Sequence, residues 1–402
     1  MNKRILFVDD EPMVLQGLQR SLRGMRGEWE SEFATSAAEA LEMMGRAPFD
    51  VVITDMRMPG MDGAQLLEQV KSKFPRTVRM ILSGQSDRDS ILRSIGPTHQ
   101  YLSKPCDVDD LKQKLLHAFA LRDLLANPQL KEIVSRLETV PSLPASYVAI
   151  TKALEGPDGS IAEIGGIIAQ DMGMSSKLLQ LVNSAFFGLA SPVSSVKQAA
   201  SLIGMDNIRA LALSVNVFSR FEGSLQEDMA FLWEHSLATA GFAKAIAKTQ
   251  NGARGEVDDA FTAGILHDVG RLILAFACPR DYRNVLDKTG GSTTMLAAEQ
   301  EVFGCTHAAV GAYLLGLWGL PDAIVAAAAW HHDPCAGAAP AFCPLIAVHV
   351  ANHYDHARHS YPPLGAQPAI DQALLARLGL QERLAAWTNA CSELEPKKKN
   401  HA

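Results

Sequence analysis

Ile5-Leu6-Phe7-Val8-Asp9-Asp10-Glu11 decides the fold of the first part of the chain. Four apolar residues run without alternation into two acids, the pattern of a short strand buried on both faces. The pattern recurs at Val51–Thr54 ahead of Asp55, at Met80–Leu82 ahead of Ser83, and at Tyr101–Leu102 just before Lys104. Helix-like stretches, Met13–Met25, Ala37–Gly45, Gly63–Phe74 and Arg88–Ser94, lie between them. Strands alternating with helices predict right-handed crossovers and a doubly wound parallel sheet. In such sheets function gathers beyond the carboxyl ends of the strands, where Asp9, Asp10, Asp55, Ser83 and Lys104 are all expected.

Converging carboxylates repel and rise in pKa unless a cation sits among them. Hard oxygen donors that leave positions open for water and substrate suit Mg²⁺. A carboxylate can serve as a nucleophile and take up a phosphoryl group, and a hydroxyl and an ammonium at the same crevice would hold that group's oxygens. Each residue alone reads as a solvated strand end; five at successive strand ends read as a phosphorylation site.

Phe7-Val8-Asp9-Asp10-Glu11, Asp55-Met56-Arg57-Met58-Pro59-Gly60-Met61-Asp62-Gly63, Ser83-Gly84 and Lys104-Pro105 resemble the receiver domain of bacterial two-component response regulators over about residues 1–122. The resemblance implies a flavodoxin-like α/β fold with a five-stranded parallel sheet, and Asp55 as the phosphoacceptor of a sensor histidine kinase. It implies Mg²⁺ held by Asp10, Asp55 and the carbonyl of Arg57, with Asp9 acting through water. Lys104 would pair with the phosphoryl group. Ser83 and Tyr101 would form the switch, the hydroxyl moving toward the phosphate and the ring following it.

Asp107–Leu137 reads as the last receiver helix running into a connector, interrupted at Asn127-Pro128. After Val140-Pro141-Ser142-Leu143-Pro144 the strand signals end. Ala145–Leu154, Ile161–Gln170, Ser175–Val182, Val196–Ile203 and Asn207–Phe221 open a series of helices separated by Gly, Pro and Asn-Gly breaks. This second part carries His235, the adjacent pair His267-Asp268, His307, and the pair His331-His332. Imidazole and carboxylate are ligands for Zn, Fe or Mn. Adjacent helical residues point about 100° apart, so His267 and Asp268 face one point only if the helix is irregular or two metals share the site. His349, His353 and His356 share one helix face and read as a polar face rather than a ligand set.

Leu143-Pro144, Ile168-Ala169-Gln170-Asp171, the Leu178–Ala185 run, Leu202-Ile203-Gly204, Leu266-His267-Asp268-Val269-Gly270, Trp318-Gly319-Leu320-Pro321 and His331-His332 resemble the HDOD domain over about residues 135–355. That family is an all-helical relative of the HD phosphohydrolases, and its members are mostly regarded as signalling modules. His235, His267, Asp268, His307, His331 and His332 also match the ligand positions of the HD-GYP cyclic-dinucleotide phosphodiesterases. Three departures mark the site as partly eroded. Asn352 falls where those enzymes carry a last Asp ligand, Arg271 replaces a lysine, and no GYP segment follows His331-His332-Asp333-Pro334.

The 402 residues are 48% hydrophobic with a net charge of −7, which argues against a chain built to coat nucleic acid. Ala200–Val215 has helix-turn-helix spacing, but only Lys197 and Arg209 supply cations near it. No uninterrupted run of 18 apolar residues occurs; Gly264–Cys278 is broken by His267, Asp268 and Arg271. The six cysteines include no CxxC pair and read as reduced thiols, consistent with a cytoplasmic protein. Expected domains are a receiver at 1–122, a helical connector at 123–140, an all-α HD-like output domain at 141–356, and a C-terminal helical extension and tail at 357–402. Expected partners are the histidine kinase and a downstream protein or nucleotide, with a homodimer open and no membrane or direct nucleic-acid binding. Three functions rank in order: a response regulator with a binding output, a receiver-gated metal-dependent phosphohydrolase, and a DNA-binding regulator.

Overall fold

The computed structural model describes residues 3–25, 29–83, 98–104, 160–183, 192–204, 225–250, 254–289, 293–337, 341–359 and 369–394, with isolated positions between them. The expected helices Arg88–Ser94 and Asn207–Phe221, nearly all of Ala145–Leu154 and most of the connector lie outside the described residues. The chain divides into two compact units. One is Met1–Thr139 with Gln180–Pro192 and Gly316–Gly319; the other is Val140–Leu179, Val193–Leu315 and Leu320–Ala402.

The first unit holds β1 (Lys3–Val8), α1 (Pro12–Ser21), β2 (Trp29–Ala34), α2 (Ala37–Arg46), β3 (Val51–Asp55), α3 (Gly63–Lys73), β4 (Val78–Ser83) and β5 (Gln100–Ser103). All strand pairs are parallel, in the order β2-β1-β3-β4-β5. β1 therefore pairs with β2 on one side and β3 on the other, and the crevice lies at its carboxyl end. Ile5, Leu6, Phe7, Val8 and the whole of β3 are buried, as unbroken apolar runs inside a parallel sheet should be. β2 has no apolar run and is not foreseen as one. As an edge strand it buries only Trp29 and Ala34, so Glu30 and Glu32 are tolerated between them. Helix starts follow local chemistry: Ser36 caps α2, and Asp62 and Gln65 form a reciprocal capping box on α3.

The described residues after 140 form helices and their connections, with no strand among them. The helices are α4 (Ile161–Ile168), α5 (Met172–Val182), α6 (Val196–Ile203), α7 (Leu225–Lys248), α8 (Arg254–Leu266), α9 (Val269–Ala277), α10 (Pro279–Thr289), α11 (Met295–Phe303), α12 (His307–Leu317), α13 (Asp322–Trp330), α14 (Pro344–Arg358), α15 (Gln372–Arg377) and α16 (Leu384–Ser392). α7 and α8 pack on each other, and both pack against α14. Gly255–Ala277 is long and apolar enough to cross a membrane, but 83% of its most apolar window is buried in the protein, as a core segment would be. Ala199, Ala200 and Ile203 of α6 are buried, while most of the Ala200–Val215 segment lies outside the described residues. Beyond α14, Leu374, Leu375, Trp387 and Cys391 are also buried.

Candidate functional site

In the first unit, β1 delivers Asp9 and β3 ends on Asp55. Asp9 is 1% exposed and Asp55 8%. Lys104, just past β5, places Nζ 2.9 Å from Asp9 Oδ2 and pairs with Asp55 Oδ1. The remaining carboxylate oxygens are held by backbone: Asp9 Oδ1 accepts from Glu11 N at 2.9 Å, and Asp55 Oδ2 accepts from Arg57 N at 3.0 Å. Asp10 is half-buried at the same strand end. Burial pushes the Asp55 carboxyl above its usual range and the Asp9 charge adds to this, while Lys104 acts against both. Burial works against the Lys104 charge too, but Asp55 and Asp9 together raise its pKa. Two carboxylates on one ammonium, with Asp10 at the same strand end, offer hard oxygen donors that fit Mg²⁺.

Gly63 was not singled out for this crevice, yet it shapes it. A Cβ there would sit 2.1 Å from the Asp55 carbonyl oxygen, so only glycine lets α3 start directly against the end of β3. The side chains of Ser83 and Tyr101, the expected switch pair, lie outside the described residues; their backbones end β4 and run through β5.

In the second unit the sequence-picked histidines come together. The helix breaks between α8 and α9, and His267-Asp268 forms the break. That irregularity lets both neighbours face one centre. His307 Nε2 lies 3.1 Å from Asp268 Oδ1, and His331 Nε2 lies 3.4 Å from it. His307 Nε2 is also 3.4 Å from His331 Nε2 and 3.0 Å from His332 Nε2. On the other side, His267 Nε2 and His235 Nε2 lie 3.8 and 4.0 Å from Asp268 Oδ2. These residues make two overlapping groups that share Asp268.

The far nitrogens explain why the near ones converge. His267 Nδ1 donates to the Gly264 carbonyl at 2.7 Å, and His331 Nδ1 faces the Ala327 and Ala328 carbonyls. His235 Nδ1 pairs with Asp355 Oδ2 at 2.6 Å, and His307 Nδ1 with Glu299 Oε2 at 2.7 Å. Such outer partners fix ring orientation and tautomer, leaving Nε2 as the donor atom toward the centre. Among the described residues, the buried His267 Nε2 and Asn352 Oδ1 have no hydrogen-bond partner. Inward imidazole nitrogens and a carboxylate fit a Zn-, Fe- or Mn-class ion.

Charge is distributed unevenly around this centre. Burial opposes a charge on His307, yet Glu299 and Asp268 outweigh it and push its pKa up to about 9. Burial holds His267 well below the ordinary imidazole range. Burial also opposes the Asp268 carboxylate, but His267, His307 and Arg271 keep its pKa well below the usual value. Arg271, read from the sequence as a replaced lysine, is buried and donates from Nη1 to Asp268 Oδ2 at 3.3 Å.

Glu299 and Asp355 were missed in the sequence. Glu299 lies eight residues before His307 and Asp355 three after Asn352, and no motif marks either. The His349, His353, His356 face is not turned to solvent as a unit. His349 is buried, donates from Nδ1 to the His331 carbonyl at 2.7 Å and accepts from Asp371 N at 3.0 Å. His356 packs edge-on against His235 with ring centroids 4.7 Å apart.

Residues 5–116 match the response regulator receiver domain family, and residues 140–334 match the HDOD domain family. An uncharacterized protein of Treponema pallidum (strain Nichols) is 29% identical over 210 residues, covering 50% of this chain and 39% of its own length. The DNA-binding transcriptional regulator NtrC of Escherichia coli (strain K12) is 36% identical over 107 residues, covering 26% of this chain and 22% of its own. The chain thus spans well under half the length of these curated relatives. The crystal structure of the MmoQ response regulator of Methylococcus capsulatus str. Bath is 29% identical, covering 62% of this chain and 98% of its own, with a TM-score of 0.48. With both families matched in succession along one chain, the protein belongs to the response regulators and carries a receiver domain at 5–116 followed by an HDOD domain at 140–334.

Proposed function

We propose that the protein is a phosphorylation-controlled signalling switch in which Asp55 is the phosphoacceptor and the HDOD domain is a binding output. The observation that carries this reading is Lys104 spanning Asp9 and Asp55 at the crevice. An Asp55 carboxylate oxygen attacks the phosphorus of a sensor kinase phosphohistidine. A P–O bond forms as the P–N bond breaks, and the imidazole leaves with its electron pair and is protonated. Asp10, Asp55 and the Arg57 carbonyl would hold Mg²⁺, which would supply charge neutralisation to the phosphoryl oxygens. Lys104 is positioned to pair with the phosphoryl group once Asp55 carries it. Ser83 and Tyr101 are the proposed readout of that change.

Full-length protein incubated with Mg²⁺ and acetyl phosphate is expected to gain one phosphoryl group by intact mass, and Asp55→Asn to gain none. Uptake that persists in Asp55→Asn, or no uptake by the unsubstituted chain, overturns the assignment.

The histidine cluster favours a second reading, a receiver-gated metal-dependent phosphohydrolase acting on phosphodiesters such as cyclic dinucleotides. Burial ranks it second: His235, His267, Asp268, His307 and His331 are each at most 2% exposed, and only His332 of the set reaches half-burial. A phosphodiester needs an approach that these side chains do not offer. If the reading holds, Mn²⁺- or Zn²⁺-loaded protein hydrolyses a cyclic dinucleotide and Asp268→Ala, which removes the carboxylate common to both groups, abolishes turnover. Equal turnover in Asp268→Ala excludes it.

A further inference from the structure

We infer that the HDOD cluster is built for one metal ion, held by Asp268, His307, His331 and His332, with Arg271 standing where a second ion would otherwise share Asp268. The inference rests on the reading of these histidines as metal donors and says which of them keep that role.

Distances separate the two halves. A tetrahedral ion with N and O donors at about 2.0–2.1 Å has donor–donor edges of about 3.3 Å. The four edges measured in the first half are 3.0, 3.1, 3.4 and 3.4 Å. In the second half the contacts to Asp268 lengthen to 3.8 and 4.0 Å.

Tautomers make donors of the inward nitrogens in both halves, since His235 Nδ1 and His267 Nδ1 likewise face a carboxylate and a carbonyl, so it is spacing that sets the first half apart. His331 Nδ1 faces carbonyl oxygens and His307 Nδ1 faces a carboxylate, neither of which donates. Both Nδ1 atoms therefore carry hydrogen, and in the neutral rings both Nε2 atoms carry lone pairs. Lone pairs held 3.0–3.4 Å apart beside Asp268 Oδ1 repel unless a cation lies among them. A proton on His307 Nε2 serves one of those neighbours at a time; a metal ion serves all of them.

Arg271 closes the other half. Its guanidinium stays charged at any ordinary pH, is buried, and is also anchored by Nε donating to the Tyr282 hydroxyl at 3.4 Å. It takes Asp268 Oδ2, the same oxygen that faces His235 and His267. A divalent ion there would meet a fixed positive charge, and Asn352 offers only a neutral amide oxygen. Charge balance agrees. With the ligating imidazoles neutral, the buried carboxylates of Asp268, Glu299 and Asp355 against one guanidinium leave two negative charges, which one divalent ion neutralises. A second ion would leave an excess positive charge without water to solvate it.

The test is metal stoichiometry on the full chain, stripped with chelator, then equilibrated with Co²⁺ in excess Mg²⁺ so that the receiver crevice is occupied. The expected result is one Co²⁺ per chain with the intense visible absorption of a four-coordinate site. His332→Gln should lose that absorption, and His235→Gln should keep both absorption and stoichiometry. Glu299→Gln should weaken Co²⁺ affinity about 10–100-fold by releasing the His307 ring. Arg271→Met combined with Asn352→Asp should admit a second equivalent. Far-UV circular dichroism checks that each variant is folded. If a variant is unfolded, Zn²⁺-protected histidines mapped by diethylpyrocarbonate footprinting of the unsubstituted chain replace it: His332 protected and His235 unchanged by metal supports the inference, the reverse overturns it. Two equivalents in the unsubstituted chain, or one that His235→Gln removes and His332→Gln keeps, also overturns it. No bound Co²⁺ at all removes the metal reading and the phosphohydrolase with it, while acetyl phosphate uptake at Asp55 still reports independently on the receiver.

Discussion

Gly270→Ala is expected to destabilise the helical unit by about 3 kcal/mol or more, near or beyond the upper end of the usual cost of overpacking. A Cβ at position 270 would sit 1.9 Å from the His307 carbonyl oxygen, 2.7 Å from its carbon and 2.8 Å from Gly311 N. These are backbone atoms, so no side chain can rotate away. α9 and α12 would have to part, and His307 would move off Asp268. Urea unfolding should show a lowered midpoint with little change in slope, and Co²⁺ binding should fail together with stability. Gly241→Ala is the control. It lies inside α7, where an added Cβ meets nothing within 4 Å, so the helix should gain about 0.5–1 kcal/mol. Equal stabilities for the two variants would show that the Gly270 contact is not tight in solution.

Glu299→Ala is expected to cost about 3–5 kcal/mol, the range for removing one partner of a buried ion pair. Glu299 is fully buried and accepts from the His307 backbone N at 2.9 Å as well as from Nδ1 at 2.7 Å. Alanine would leave a buried N–H and a buried imidazole without an acceptor. Glu299→Gln keeps one acceptor oxygen and should lose about 1–3 kcal/mol. A ranking of unsubstituted chain, Gln and Ala in falling stability is the signature. If Gln is as stable as the unsubstituted chain and only Ala falls, Glu299 acts only by filling space. The same series reads function, since a His307 ring freed to turn no longer presents Nε2 to Asp268.

Much of this architecture is legible in the residue order because its causes are local. β1, β3, β4 and β5 each contain the apolar run read for them, since a strand buried on both faces must be apolar throughout. β2 escaped because an edge strand needs burial at only a few positions. α6 spans the expected Val196–Ile203, with Ser195 capping its start and Gly204 in a positive-φ conformation ending it. The adjacency of His267 and Asp268 demanded an irregular helix or two metals, and the break between α8 and α9 answers with the first.

The sequence by itself determined a parallel α/β receiver with an acid crevice, an all-helical second part, and the identities of the residues at both centres. Strand ends, caps and ligand types depend on neighbours along the chain, so they can be read there. Only the tertiary structure decided that Arg271 bonds to Asp268 rather than standing free as a replaced lysine, that Glu299 and Asp355 orient His307 and His235, and that His349 ties Asp371 to His331. Several of these partners are tens of residues apart, as His235 and Asp355 are, and lie on different helices. Their pairing follows from how apolar faces pack those helices together and from the need to satisfy each polar group that packing buries, conditions that no local spacing records.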